Sequence, residues 1–314
     1  MSDYSIDFSV MQAKKEQSFA LADSFDRLSR RLEGPRGARD GWANRAALCR
    51  SCGNYLKFGV LRAGGVKLLD ANFCRQRLCP QCSFRRSLRA YAHISRCIDW
   101  VNVWRSDLQF AFLTLTVRNV EGPELSAALS AMADAYNRFL SNKAVSTRIA
   151  GAIRTTEVTV SDGNTFHPHY HLILALPDSY FQSGKYWTTE QWAKAWKTSG
   201  GYNYTPITHI QAIHGQDKAV KETAKYAVKP GDLLSGSPDL IDERVFMLHR
   251  GLHRKRLLSY SGVFAEARRA LRIAEEKDDI LTDDITREDV FEAFVTYNWG
   301  FDVGNYQLVK EEKA

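Results

Sequence analysis

The segment Phe166-His167-Pro168-His169-Tyr170-His171-Leu172-Ile173-Leu174 sets two histidines one residue apart at the head of an aliphatic run. On a strand, residues two apart project from one face, so His169 and His171 stand side by side. Two imidazoles so placed make half of a divalent-metal site. A third ligand is expected from a neighbouring strand. Glu157 fits, as the one acid on the preceding run Gly151–Val160. His167 shares the face of the pair but falls towards the mouth of the strand.

A second group of metal-ligating residues lies upstream. The chain has six cysteines, and Cys49, Cys52, Cys74, Cys79 and Cys82 cluster while Cys97 stands apart. Clustered cysteines in a chain without a visible secretory signal are more often metal ligands than disulfides. Cys49-Arg-Ser-Cys52 and Cys79-Pro-Gln-Cys82 each have the spacing that grips a tetrahedral ion from a tight turn. Five thiols compete for four places. Spacing allows Cys49, Cys52, Cys79 and Cys82, or Cys52, Cys74, Cys79 and Cys82. A closed four-sulfur zinc site is structural, with no open position for chemistry. Its task here is to hold Arg75, Arg77, Arg85, Arg86 and Arg89 in a fixed array. Cys97 reads as a core thiol.

The third constellation is Lys221-Glu222-Thr-Ala-Lys225-Tyr226-Ala-Val-Lys229. The pattern predicts a helix over 218–229, stopped by Pro230-Gly231. On that helix Glu222 and Tyr226, four apart, share a face. A tyrosine hydroxyl with a free pKa of about 10 is a weak nucleophile. Neighbouring cations stabilise its phenolate.

These side chains need a frame. Leu108–Thr116, Gly151–Val160 and Phe166–Leu176 carry the alternation and β-branching of strands, the last two joined as a hairpin. Leu257–Tyr260 and Tyr204–His214 read as further strands. Residues 1–35, 83–96, 125–142 and 189–198 read as helices. Trp192 and Trp196 on the last of these fit a core helix as well as a stacking platform for bases, for which Trp187 is the other candidate. Without a regular strand-helix-strand rhythm, the fold class is α+β, with a central antiparallel or mixed sheet carrying the His-x-His strand. The expected organisation is an N-terminal helical segment (1–40), a basic zinc-binding subdomain (41–100), the catalytic domain (101–262) and an acidic helical extension (263–314).

The 314 residues, 44% hydrophobic and 25% charged, exclude a disordered or collagen-like chain. The formal charge of +7 is modest, but it is unevenly spread. Residues 45–96 hold Asp70 as their one acid among many Lys and Arg, whereas 263–314 are dominated by acids. The basic block and His249–Arg256, with Arg250, Arg254, Lys255 and Arg256, are the expected phosphate-facing surfaces. The opening MSDYSIDFSV lacks a basic-then-apolar leader, and no stretch is long enough for a membrane span. The expectation is a cytoplasmic protein without membrane partners.

Taken together the motifs resemble the rolling-circle replication initiators of small bacterial plasmids, within the His-hydrophobic-His (HUH) endonuclease superfamily, in the branch with one catalytic tyrosine preceded by a glutamate. The resemblance is carried by Phe112-Leu-Thr-Leu-Thr116, Glu157-Val-Thr, His169-Tyr-His171-Leu-Ile-Leu and Glu222-x-x-x-Tyr226. Phe73-Cys74-x-x-x-Leu78-Cys79-Pro-x-Cys82 and Tyr260-Ser-Gly-Val-Phe-x-Glu-Ala complete it. It implies that Cys52, Cys74, Cys79 and Cys82 bind zinc, with Cys49 as substitute. It implies Mg²⁺ or Mn²⁺ on Glu157, His169 and His171, with Tyr226 attacking one strand of the plasmid origin through a 5′-phosphotyrosine intermediate. Glu222 acts as base in a terminating cleavage, and Lys225 or Lys229 steadies the phosphate. Implied partners are origin DNA, single-stranded or in a hairpin with flanking duplex, and a host helicase and DNA polymerase; a homodimer is left open. The alternatives are a transposase of the same superfamily, a non-catalytic zinc-dependent DNA-binding regulator, and a metal-dependent nuclease that forms no covalent adduct.

Overall fold

A computed structural model of the chain describes residues 6–32, 41–161, 164–181, 184–213, 216–225, 227–273 and 281–314. In chain order the first elements are helices α1 (Ser9–Leu32) and α2 (Trp42–Ser51), strands β1 (Tyr55–Leu61) and β2 (Val66–Ala71), helix α3 (Pro80–Trp104) and strand β3 (Leu108–Thr116). Helices α4 (Leu125–Ser141) and α5 (Lys143–Ser146), strands β4 (Gly151–Val160) and β5 (Phe166–Pro177) and helix α6 (Thr189–Gly200) follow. Then come β6 (Thr208–Ala212), α7 (Gln216–Thr223), α8 (Pro230–Leu233), α9 (Pro238–Gly251), β7 (Leu258–Gly262) and α10 (Val263–Ala270). Strands β8 (Phe291–Gly300) and β9 (Asn305–Lys313) end the series. The fold is α+β with antiparallel sheets flanked by helices, as the sequence implied. Among the described residues no helix is long and apolar enough to cross a membrane.

The chain forms two compact units. One comprises Met1–Arg89, Leu233–Phe246 and Ile280–Ala314; the other Ala90–Asp232 and Met247–Asp279. The first unit is built on an antiparallel sheet in the order β2-β1-β8-β9. Leu56, Phe58, Val60, Leu68, Val295, Tyr297 and Trp299 form its core, against which Phe8, Met11 and Phe19 pack. The C-terminal segment therefore departs from the helical extension expected of it. Ala293, Val295, Tyr297 and Trp299 are buried at every second position, the period of a strand with one face in a core. Strand β1 supplies the pairing edge that this run needs.

The second unit holds a five-stranded antiparallel sheet in the order β6-β3-β5-β4-β7. Alternate residues of its strands feed two cores. Leu113, Leu115, Leu172 and Leu174 pack with Met132, Tyr136 and Phe139 of α4 and with Trp192 and Trp196 of α6. Both tryptophans are fully buried, which assigns them to the core and removes them as base-stacking candidates. On the other face Phe110, Ile153, Ile173 and Ala175 meet Ile94, Cys97 and Ile98 of α3, Val220 of α7, and Phe264 and Ala267 of α10. Cys97 is the core thiol expected. His169, His171 and Glu157 share the parity of this second face.

Strand β7 turns into α10 at Gly262, whose φ of 54° and ψ of −136° suit glycine alone. A β-carbon there would lie 2.0 Å from the backbone oxygen of Ala150. That oxygen already accepts from Val263 N at 3.0 Å, so it is not free to withdraw. Gly262→Ala is expected to lower stability by about 2–4 kcal/mol. Urea unfolding should show an earlier midpoint at an unchanged slope.

Candidate active site and cysteine centre

In the β4–β5 ladder Glu157 stands opposite His169 and Thr155 opposite His171. Directly opposed residues share a face of the sheet, so the carboxylate and both imidazoles converge. Glu157 Oε2 lies 2.8 Å from His171 Nε2 and 3.1 Å from His169 Nε2. The ligand atoms of the three all lie within 4.8 Å of one another, and all three side chains are buried.

The protons in this group do not close without a cation. His169 Nδ1 sits 3.1 Å from the carbonyl oxygen of His167, which can only accept, so Nδ1 carries a hydrogen. In a neutral ring Nε2 then presents its lone pair to the Glu157 carboxylate. That contact is repulsive unless a proton or a metal ion lies between them. His171 is held from behind by Thr114 Oγ1, 3.4 Å from its Nδ1, and by the stacked ring of Phe112. Such outer contacts fix a ligating imidazole. Glu157 Oε1 is buried without a hydrogen-bond partner; Lys229 Nζ lies 3.7 Å from it. Burial pushes the Glu157 carboxyl up, but hydrogen bonds from His169 and His171 and their charges outweigh it, holding the group well below the usual carboxylate range. The orphaned oxygen and the two-nitrogen, one-carboxylate donor set fit a divalent ion. His167 is half-buried outside the trio; burial, then the charge of His169, draws its pKa down.

The segment after β6 differs from the expected helix over 218–229. Helix α7 ends at Thr223, so helical spacing does not relate Glu222 to position 226. Val158 N, on the stretch of β4 beyond its pairing with β7, donates to the carbonyl of Ala227 at 2.7 Å. That bond gives the Val158 N–H its partner and fastens the segment after α7 to the edge of β4. Tyr226 lies outside the described residues. Glu222 is half-buried and accepts from the Lys225 ammonium. Lys225 is therefore engaged, whereas Lys229 reaches Glu157.

In the first unit Cys52 caps the end of α2, and its N–H donates to the Cys49 carbonyl. Cys79 precedes Pro80, the first residue of α3, and Cys82 lies in the first turn of that helix. Sulfurs of Cys52 and Cys82 are 3.5 Å apart, those of Cys74 and Cys82 3.6 Å, and those of Cys79 and Cys52 3.6 Å. Cys52, Cys74, Cys79 and Cys82 are the four whose sulfurs form one group; Cys49 is buried beside them. Arg75, with φ of 57°, turns its N–H onto Cys82 Sγ at 3.2 Å, and Cys74 N donates to Cys52 Sγ at 3.3 Å. Hydrogen bonds from Cys49 and Cys52 draw the Cys74 thiol down to about 5, while those to Cys74 and Cys79 push Cys52 up. Four sulfurs gathered in this way, with N–H groups already aimed at two of them, fit a tetrahedral thiophilic ion such as zinc.

The basic residues separate into two kinds. Arg85 and Arg89, expected to face DNA, are buried instead. Arg85 donates to the Leu281 carbonyl and Asp283, and Arg89 to the Thr282 carbonyl while pairing with Asp284. Buried guanidinium groups require such partners, and these two clamp residues 281–284. Arg86 is half-buried, its guanidinium donating to the carbonyls of Gln76 and Arg75. Arg75 is exposed and Arg77 half-buried on the cysteine loop. Arg250, Arg254 and Arg256 are exposed, and Lys255 donates to Ser130 Oγ. The Arg256 carbonyl receives the buried Arg154, whose guanidinium lies against the rings of Tyr136 and Tyr170.

Three residues near these groups were not singled out from sequence. Thr114 backs His171, and His209 stands opposite Thr114 in the β3–β6 ladder, exposed and in one row with His171. Strand alternation and the register of β3 carry both. Lys15, fully buried, donates to the carbonyls of Arg50 and Cys52; its phase with Met11, Ser18 and Ala22 on α1 is the signal. Burial draws Lys15 down to about 8, against the upward pull of the neighbouring cysteine charges.

Comparison with known proteins gives a consistent family. A family model described as a replication protein, Rep_1, matches residues 65–307. "Protein rep" of Streptococcus pneumoniae serotype 2 is 33% identical over 282 residues, covering 87% of this chain and 83% of that protein. "Protein rep" of Bacillus amyloliquefaciens is 30% identical over 324 residues, covering 95% and 93%. A "Replication protein" of Staphylococcus aureus is 35% identical over 206 residues, covering 61% and 88%. No solved structure matches the chain.

Proposed function

The chain belongs to the Rep_1 replication-protein family, and on that premise we propose that it initiates rolling-circle replication of a bacterial plasmid by nicking one strand of the origin. The observation that carries this reading is the convergence of His169 and His171 on one oxygen of Glu157, beside an unsatisfied second oxygen. A divalent ion held there, Mg²⁺ or Mn²⁺, supplies Lewis-acid polarisation of a scissile phosphate. Tyr226 attacks that phosphorus: the tyrosyl O–P bond forms as the P–O3′ bond breaks, leaving a 5′-phosphotyrosine and a free 3′-OH for a host polymerase. The covalent link conserves the phosphodiester energy for rejoining. Lys229 meets the phosphate charge, a role supported by its approach to Glu157. Glu222 serves as general base for the terminating cleavage, consistent with its place near the end of α7.

Arg75, Arg77 and Arg86 around the cysteine centre, and Arg250, Arg254, Lys255 and Arg256 in the other unit, contact origin DNA in this reading. Phosphate contacts of this kind position the protein without reading sequence. The setting is the bacterial cytoplasm, with a host helicase opening the duplex.

The test is incubation with Mn²⁺ and a single-stranded oligonucleotide carrying the origin nick site. A protein–DNA band stable to denaturation is expected, and chelation of the ion should prevent it. Glu222→Ala should form that band at close to the wild-type rate but release product at least about 100-fold more slowly. Cleavage that leaves no covalent band, or a band formed equally well in chelator, overturns the reading.

A further inference from the structure

We propose that helix α1 closes the cysteine centre and that Lys15 is the counter-charge of a zinc tetrathiolate held by Cys52, Cys74, Cys79 and Cys82; the proposal rests on reading those four as zinc ligands. Met11, Lys15, Ser18 and Ala22 fall on one face of α1, and all four are buried. The Lys15 ammonium donates to the carbonyls of Arg50 at 2.8 Å and Cys52 at 2.7 Å, and to Asn54 Oδ1. Its three donors are thus used. Ser18 Oγ lies 3.5 Å from Cys79 Sγ, and the Met11 carbonyl accepts from Gln81 Nε2 at 3.0 Å. Helix α1 therefore touches both halves of the centre: the turn bearing Cys52 and the start of α3 bearing Cys79 and Cys82.

Charge makes Lys15 more than a tether. Its three hydrogen-bond acceptors are neutral oxygens, and the rings of Phe19 and Trp299 lie 4.8 and 5.9 Å from it. None of these balances a buried ammonium. The cysteine centre is the charged group that α1 sets beside it: the ammonium holds the Cys52 carbonyl, and Ser18, on the same face of the helix, reaches Cys79 Sγ. Four thiolates around Zn²⁺ carry a net charge of −2, which is as costly to bury alone as the ammonium is. Each burial is made tolerable by the other, so zinc retention and docking of α1 are coupled.

The experiment uses the full chain loaded with zinc. Metal content is measured first, then the rate of zinc transfer to a chromogenic chelator for wild type, Lys15→Met and Lys15→Gln. Both variants should release zinc about 10–100-fold faster, the range found for outer-shell partners of metal ligands. The glutamine variant keeps N–H donors for the carbonyls but has no charge. In a Cys74→His background, where one thiolate becomes a neutral imidazole, Lys15→Met should cost several-fold less. With cobalt in place of zinc, thiolate-to-metal absorption should persist in Lys15→Gln, showing that the ligands are unchanged. Should Lys15→Met fail to fold, Lys15→Gln carries the same comparison in both backgrounds. Release rates within twofold of wild type, wild-type retention in Lys15→Gln, or an equal penalty in both backgrounds overturns the counter-charge role alone. A wild-type chain that binds no zinc overturns the ligand reading and this proposal with it.

Discussion

Tyr226→Phe is expected to abolish the covalent protein–DNA product and to slow strand cleavage by about 10⁴-fold or more, the scale on which removal of a nucleophile acts. That loss corresponds to about 5.5 kcal/mol of transition-state stabilisation. The substitution deletes one phenolic oxygen and leaves ring volume unchanged. The proposed ion ligands stand on β4 and β5 and contribute no atom to that residue, so Mn²⁺ affinity should stay within about twofold while cleavage disappears. Position 226 lies outside the described residues, but its flanks bear on the assignment. The carbonyl of Ala227 is bonded to Val158, the residue after Glu157, and Lys229 approaches Glu157 itself. Glu157→Ala supplies the contrast: it should lose cleavage and ion affinity together, because it removes a ligand rather than a nucleophile. A covalent band that survives Tyr226→Phe would move the nucleophile to another residue. Equal loss of ion binding in both variants would show that Tyr226 acts on the fold of the site instead.

The parts of this site that the sequence reveals are those set by local periodicity. β4 and β5 are neighbours joined by a short connection, so strand alternation fixes the face of His169 and His171, and adjacency brings Glu157 opposite. Leu108–Thr116 is legible for the same reason. The end of α7 at Thr223 is not. Beyond that end the Ala227 carbonyl accepts from the Val158 N–H on β4, a long-range contact that no pattern within 216–229 records. β8 fails because its partner β1 lies more than 200 residues upstream, and strand formation depends on such context; β9 follows it by pairing with β8. A count of arginines likewise cannot separate solvated from buried ones. Gln81, Arg85 and Arg89 are spaced four apart on α3 and all buried, so helical phase would have withdrawn the last two from the DNA-facing set. Their counterions Asp283 and Asp284 were visible in sequence only as members of an acidic block.

Cys79→Ser should leave the chain without tightly bound zinc and unable to fold its first unit stably, whereas Cys49→Ser should retain one ion. Both thiols are buried, so burial does not separate them. Geometry does. Cys79 Sγ lies 3.6 Å from Cys52 Sγ within the group of four, and Cys49 is outside that group. A structural zinc contributes about 10–16 kcal/mol of apparent binding energy. Whole domains are stable by only about 5–15 kcal/mol, so a unit organised around such an ion does not survive its loss. The first unit is built accordingly: β1 follows Cys52 directly, α3 starts at Cys79-Pro80, and α1 rests on both. Circular dichroism during chelator titration should therefore report unfolding in step with zinc release for wild type and Cys49→Ser. Cys79→Ser should show no zinc-dependent transition. If Cys49→Ser loses the ion while Cys74→Ser keeps it, the ligand set is Cys49, Cys52, Cys79 and Cys82, and the N–H groups of Cys74 and Arg75 then brace a loop rather than a metal thiolate.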